Sequence, residues 1–249
     1  MGFNSIGLFL KIKSNQRRIT IKKRAFNLEK EALLASGIRE KRKIVVYSAK
    51  LDQLHQQFIL QVTPTTDPVA KARSLFTWLW IEKPTRYKSH GPFRLGEVAD
   101  AQLSEEHQTV GNCLGLTLLY NCLLRRIGIE AEALYLENAF GIGPHVLTLV
   151  KTEGFLIDVE NILTDGFDFK GHLANPSRIR WGDRELVADI YHSLGNEFFK
   201  KGRFIEALNN YDRTIKLNPQ YEKAHLNKAI LLNRMGGTKS AKSQKDGRT

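Results

Sequence analysis

Cysteine is scarce in this chain: Cys113 and Cys122 are the only two in 249 residues. Two thiols cannot build the disulfide framework of a small secreted scaffold, and neither stands at a zinc-like spacing from another cysteine or a histidine. The expectation is therefore no resident metal, no other cofactor, and two free thiols in a reducing cytoplasm. Long apolar runs are missing as well. The longest uncharged stretch, Val110 to Leu124, is interrupted by Asn112, Thr117, Tyr120 and Asn121 and stays below the roughly 18 apolar residues that a membrane span requires. No transmembrane segment is expected. The apolar patch Ile6, Leu8, Phe9 and Leu10 precedes the basic residues, the reverse of a secretory signal, and Ile6 stands where a myristoylation signal needs Ser or Thr.

Acidic residues are also in deficit, 26 against 38 Lys and Arg, for a net charge of +12. The excess is local. Residues 11–50 hold 13 Lys and Arg against Glu29, Glu31 and Glu40, and a smaller excess follows Arg234, while 51–233 is close to neutral. Such an arm suits nucleic acid, an acidic partner or an anionic surface. The plain alternative is a solvated, partly disordered extension, because the arm has little aromatic interleaving for base stacking. The expected division is a basic extension over 1–60, a catalytic-size domain over 61–180, a helical module over 186–236 and a disordered tail over 237–249.

What is present is a set of well-punctuated elements. A short helix is expected from Asn27 through Ala35, ending near Gly37, followed by the β-branched run Ile44-Val45-Val46-Tyr47. Asp67 and Pro68 cap and open a helix whose apolar positions, Val69, Ala72, Leu75, Phe76 and Leu79, recur at three- and four-residue intervals. Trp78 and Trp80 lie on it, as substrate-cleft candidates or as packing residues. A helix of mostly apolar residues then starts at Cys113, with Arg125 and Arg126 at its negative end and Gly128 just beyond. Ala131 to Leu136 reads as a strand. Two apolar runs, Val146 to Val150 and Phe155 to Val159, joined by Lys151-Thr152-Glu153-Gly154, carry a hairpin signature.

A cysteine in the first turn of a helix meets the positive end of the helix dipole and unpaired amide protons, which favour thiolate. Cys113 is therefore the candidate nucleophile. If the hairpin turns on Thr152-Glu153, His145 opposes Glu160 and Asp158 becomes its diagonal neighbour on one sheet face. A histidine and a carboxylate so placed act as base and orienter for a thiol, and Asp158 otherwise interrupts an apolar strand at a cost. A buried ion pair from Asp158 to a distant arginine is the competing explanation. The Cys113 amide supplies one oxyanion donor, with Gln108 or Asn112 as candidates for the second. Cys122 is expected to face the core. His55, His90, His107, His172, His192 and His225 show no paired ligand spacing and are expected to be surface or internally satisfied histidines.

The helix from Asp67 to Trp78 ending near Tyr87, then Gly111-Asn112-Cys113, Leu123-Leu124-Arg125-Arg126-Ile127-Gly128-Ile129-Glu130-Ala131, His145 and Asp158, together resemble the transglutaminase-like superfamily. The resemblance covers about 95 residues and keeps the order Cys, His, Asp. It implies an α+β, papain-like fold with the cysteine helix packed on an antiparallel sheet, and a catalytic triad of Cys113, His145 and Asp158. Two departures, Leu147 where an aromatic residue is common and Val159-Glu160-Asn161 where a proline is common, put the acceptor and substrate preference in doubt.

Residues 188–221 resemble one tetratricopeptide repeat, through Tyr191, Leu194-Gly195, Phe198, Gly202, Ala207, Tyr211 and Pro219. A further helix, with Ala224, Leu226, Ala229, Leu232 and Gly236 in phase, makes one and a half repeats, which should dock on the main domain or on a partner protein. The functional expectation is a cysteine hydrolase or acyl transferase acting on a protein or peptide. A catalytically silent scaffold that binds proteins through the repeat, and a basic nucleic-acid-binding protein, are the alternatives.

Overall fold

A computed structural model describes residues 26–246, with side chains described over 26–236. The arm up to residue 25, with the signal and myristoylation readings, and the side chains of the tail from 237 lie outside the described residues. The helices are α1 (Leu28–Ala35), α2 (Lys41–Gln61), α3 (Pro68–Glu82), α4 (Leu95–Leu103), α5 (Cys113–Arg126), α6 (Asp183–Lys200), α7 (Phe204–Leu217) and α8 (Glu222–Asp246). The strands are β1 (Ala131–Ala139), β2 (Gly143–Lys151), β3 (Leu156–Val159) and β4 (Ile179–Trp181). They form one antiparallel sheet in the order β3-β2-β1-β4. The architecture is thus mixed α and β, with the helical module at the C-terminal end.

The Asp67 cap signal translates directly into structure, its side chain accepting from the Val69 and Ala70 amides. Asn27 and Asn112 cap as well, accepting from the Lys30 and Gly115 amides, each satisfying amides that have no partner within their helix. Gly128, at φ +79, takes the left-handed position just past α5, which glycine adopts without steric cost. The β-branched run Ile44 to Tyr47 is helical, inside α2. Leu51, Leu54 and Phe58 of α2, with Leu28, Ala32 and Leu33 of α1, join the main core formed by α3, α4, α5 and the sheet. Burial on that scale outweighs a weak local preference for strand. Residues 28–61 are therefore part of the packed domain and not an appended extension, although Val45 and Val46 stay exposed.

Helix α5 is the central element, buried over Leu114 to Leu124. Polar groups lock it to the sheet: Thr117 donates to the Val146 carbonyl, Asn121 to that of Glu132, and the Thr148 hydroxyl to the Asn121 side chain at 2.7 Å. Asn161 donates to both threonine hydroxyls. Every member of this buried network is paired, so it fixes one seating of the helix instead of destabilising the core.

Helix α6 packs Leu186, Val187, Ile190 and Leu194 into the same core, and Tyr221 stands edge-on to Trp181 and Tyr135. The helical module is thus docked on the sheet. Gly195 permits its inner crossing, because a Cβ there would come within 2.5 Å of the Tyr211 ring. Among the described side chains of α8 the buried positions are Ala224 and Leu231, while Leu226 and Leu232 of the expected apolar phase are exposed.

Candidate active site

The polypeptide around Cys113 is held before the helix begins. Gly111 bridges Tyr87, and its amide and that of Val110 donate to the Arg86 carbonyl. The Asn112 amide donates to the Pro92 carbonyl at 3.0 Å. Side chains larger than glycine are excluded at 111 and 115, where a Cβ would lie 2.8 and 2.5 Å from the Pro92 oxygen. Cys113 is partly exposed at the first position of α5. Its amide and that of Leu114 have no acceptor within the helix and are left at the same end of α5 as the sulfur.

His145, near the start of β2, lies within hydrogen-bonding reach of the Cys113 thiol. Its Nε2 lies 2.9 and 2.8 Å from the two carboxylate oxygens of Glu160, which leaves Nδ1 for the sulfur. Burial alone would depress the imidazole, but the bonds to Cys113 and Glu160 outweigh it and push His145 up to about 10. Burial likewise acts to raise the Glu160 carboxyl, yet the hydrogen bonds from His145 and His172 hold it below its ordinary value. Both shifts favour the charged pair.

Asp158 is not at this histidine. Its oxygens accept from Arg178, Nη1 at 2.6 Å and Nη2 at 3.0 Å, which corrects the expected pairing with His145. The reason is the turn. Thr152 and Phe155 close it, so Glu153 and Gly154 occupy its corner, with Gly154 at φ +101. The only glycine available goes to the left-handed position. Moving the turn by one residue shifts the pairing by two: Leu149 opposes Asp158, and Thr148 opposes Val159. Asp158 then lies four residues along the strand from the level of His145, about 13 Å at 3.3 Å per residue. Glu160, two residues later, reaches the imidazole.

His172 completes the cluster, its Nε2 2.9 Å from Oε2 of Glu160. All three side chains are buried. The Asp158 ion pair helps to hold this second histidine in place, since Arg178 Nη1 also donates to the His172 carbonyl at 3.0 Å and the Phe169 amide donates to the Asp158 carbonyl. Phe140, in the turn between β1 and β2, has φ 53 and sets its ring against His145 and His172, with centroids 5.7 and 4.8 Å apart. A large side chain in left-handed backbone is strained, and such strain gathers at functional sites. The donor atoms of His145, Glu160 and His172 lie within 4.8 Å of one another and could hold a metal ion.

The remaining candidates fall elsewhere. Trp78 and Trp80 are buried in the main core, the first donating to Gln61 at 2.6 Å. Gln108 is exposed on the loop before Gly111. The side-chain oxygen of Asn112 accepts from the Gly115 amide and caps α5. Cys122 is buried, and burial pushes its thiol far up. Sequence reasoning missed Glu160 and His172. The phenol of Tyr87 is raised first by burial and then by the charges of Cys113 and Glu160.

Residues 195–236 match the TPR repeat family. No curated protein and no solved structure matches the chain. The match falls on the end of α6, on α7 and on the first part of α8. No helix among the described residues is long and apolar enough to cross a membrane.

Proposed function

We propose that the chain is a cysteine-dependent amide hydrolase or acyl transferase of the transglutaminase-like, papain-like kind, acting on a protein or peptide through Cys113, His145 and Glu160. The observation that carries this reading is one continuous chain of contacts: a thiol at a helix N-terminus, an imidazole within its reach, and a fully buried carboxylate on the far nitrogen of that imidazole. The three roles of nucleophile, base and orienter need those residue types in that order.

In the reaction, His145 Nδ1 takes the Cys113 proton and Sγ attacks the acyl carbon of the amide. The amides of Cys113 and Leu114, which have no acceptor within the helix, are the donors to the oxyanion that forms. His145 then returns the proton to the departing amine, leaving a thioester, which water or a second amine resolves with His145 again as base. Glu160 keeps the ring oriented and stabilises its charged form. Asp158, paired with Arg178, supports the loop that carries His172 and takes no proton.

A thiol-reactive probe with mass-spectrometric mapping tests the reading. Cys113 is expected to label preferentially, and labelling should collapse in folded His145→Ala and Glu160→Gln. Cys122 serves as an internal control, since its buried thiol should stay silent. Equal labelling of both thiols, or indifference to His145, would sink the assignment.

A second reading rests on the repeat. The match over 195–236 and the exposed Leu226, Ile230 and Leu232 of α8 favour a protein-binding role for the module. That role is compatible with catalysis in the main domain and, without it, makes the chain a scaffold.

A further inference from the structure

A nucleophile, base and orienter need one imidazole on the carboxylate, and here there are two. His145 and His172 both aim Nε2 at Oε2 of Glu160, at 2.8 and 2.9 Å. We propose that His145, Glu160 and His172 form a binding site for one divalent transition-metal ion of the zinc type, ligated by two imidazole nitrogens and a carboxylate oxygen. Two imidazoles and one carboxylate are a complete protein ligand set for a zinc ion that keeps an open position, and imidazole is the commonest ligand for such ions.

The distances allow it. Ligand atoms about 2.0–2.1 Å from a tetrahedral zinc are about 3.3 Å apart, and the three donor atoms here already lie within 4.8 Å of one another. Small side-chain movements suffice, and the backbone is fixed. The Glu160 amide donates to the Gly166 carbonyl, and a Cβ at Gly166 would collide with the Glu160 carbonyl oxygen. The carbonyl of His172 is held by Arg178 and by the Asn175 amide. The surroundings are those of a metal site as well: the edges of Phe140 and Phe169 enclose His172, at 4.8 and 5.0 Å between centroids, and an apolar shell strengthens ligation by excluding water. Phe140 is half exposed, so displacement of its ring is the way an ion and a water as fourth ligand would enter.

Binding the ion does not depend on the role proposed for Cys113. What rests on that role is the consequence: the metal and the orienting carboxylate compete for Nε2 of His145, so an occupied site cannot form the Cys113, His145 and Glu160 chain. The ion replaces the protons that the two histidines share with Glu160, so uptake releases protons or moves them to Nδ1.

The 249-residue chain, stripped with a chelator, is titrated with Co2+, and Zn2+ is then used to displace it. One equivalent should bind, giving visible d–d absorption without the thiolate charge-transfer band. The spectrum should persist in Cys113→Ala and bind about a hundredfold more weakly or worse in His172→Ala and His172→Gln. Thermal melts of each variant report folding, and the wild-type and Cys113→Ala spectra stand without the histidine variants. The proposal is overturned by the absence of binding, by a thiolate band, by loss of the signal in Cys113→Ala, or by affinity unchanged in a folded His172 variant. Retained metal binding with no preferential labelling of Cys113 would remove the catalytic reading alone.

Discussion

Glu160→Gln and Asp158→Asn are the same chemical change at two carboxylates two residues apart, and the contacts of each assign them opposite outcomes. In Glu160→Gln the shape is kept but the Glu160 charge, which together with the bond to Cys113 holds His145 up to about 10, is removed. At pH 8 an imidazole at 10 is about 99% protonated, and one returned fully to an ordinary 6.5 is about 3% protonated, so the charged form falls by up to about 30-fold. A probe reaction that depends on the thiolate and imidazolium pair should slow by up to that factor, and turnover by about 10²–10⁴. Folding should survive, at a cost of about 1–3 kcal/mol for the altered hydrogen bonds to the two histidines.

Asp158→Asn does the reverse. It weakens a bidentate pair with Arg178, whose side chain keeps 26% exposure. The freed guanidinium can therefore recruit water, and the cost is about 1–3 kcal/mol, below that of a fully enclosed pair. For a domain of this size that is a melting shift of about 2–4 °C per kcal/mol. The Cys113 labelling rate should stay within about threefold, because no oxygen of Asp158 meets His145. The assay is the second-order alkylation rate of Cys113 at pH 8 in the presence of chelator, mapped by mass spectrometry, with a melting curve for each variant. A folded Glu160→Gln that labels at the wild-type rate, or a folded Asp158→Asn slowed thirtyfold, would refute the reasoning.

Three further outcomes follow from other groups. His145 is raised from 6.5 to about 10 and Glu160 is lowered from 4.5, so the histidine's contribution to stability is whole below 6.5 and lost as pH climbs through about 10. The carboxylate's contribution is present above 4.5 and lost as pH falls through its folded value. The melting difference between wild type and His145→Gln, in chelator, should therefore be widest between about pH 4.5 and 6.5; a difference that grows towards pH 10 would contradict it. Arg86 is buried, has no carboxylate partner and no acceptor for Nε among the described residues, and burial lowers it to about 9. Arg86→Met should raise the melting midpoint by about 2–4 °C, and a fall would show that the charge has a partner. Gly195→Ala drives a Cβ to 2.5 Å from the Tyr211 ring and should cost about 1–3 kcal/mol, read by denaturant unfolding, whereas an unchanged midpoint would mean that the crossing of α6 and α7 is loose.

Helices and some of their caps were legible in the sequence because those signals are local. Asp67 caps α3 and Gly128 follows α5 at positive φ, as their chemistry suggests, while the caps supplied by Asn27 and Asn112 emerge only with the structure. Residues 41–61 were harder to read. Their charge describes the exposed face of α2, while the three residues that anchor it, Leu51, Leu54 and Phe58, are spread thinly among polar neighbours. Only the partner surface, made by α1 just before it and by α4 far along the chain, shows that this face is buried. For the same reason the exposed Leu226 and the buried Leu231 of α8 could not be told apart by periodicity.

The site turned on a single residue of turn geometry. Strand alternation places 158 and 160 on the same side, so the pattern alone permits either carboxylate to serve His145. The choice lies in whether Thr152 or Gly154 occupies the corner, and the physical preference is available from the sequence: glycine accepts the left-handed backbone that threonine resists. Given that corner, Asp158 opposes Leu149 and must find another partner, which Arg178 supplies from 20 residues away. His172 carried no comparable signal, since no periodic element leads to it and tertiary contacts, from Arg178 to its carbonyl and from its ring to Glu160, fix its position. The carboxylate that meets the catalytic candidate is therefore the one just past the end of β3, where the chain leaves the ladder and its side chain is free to turn towards the start of β2.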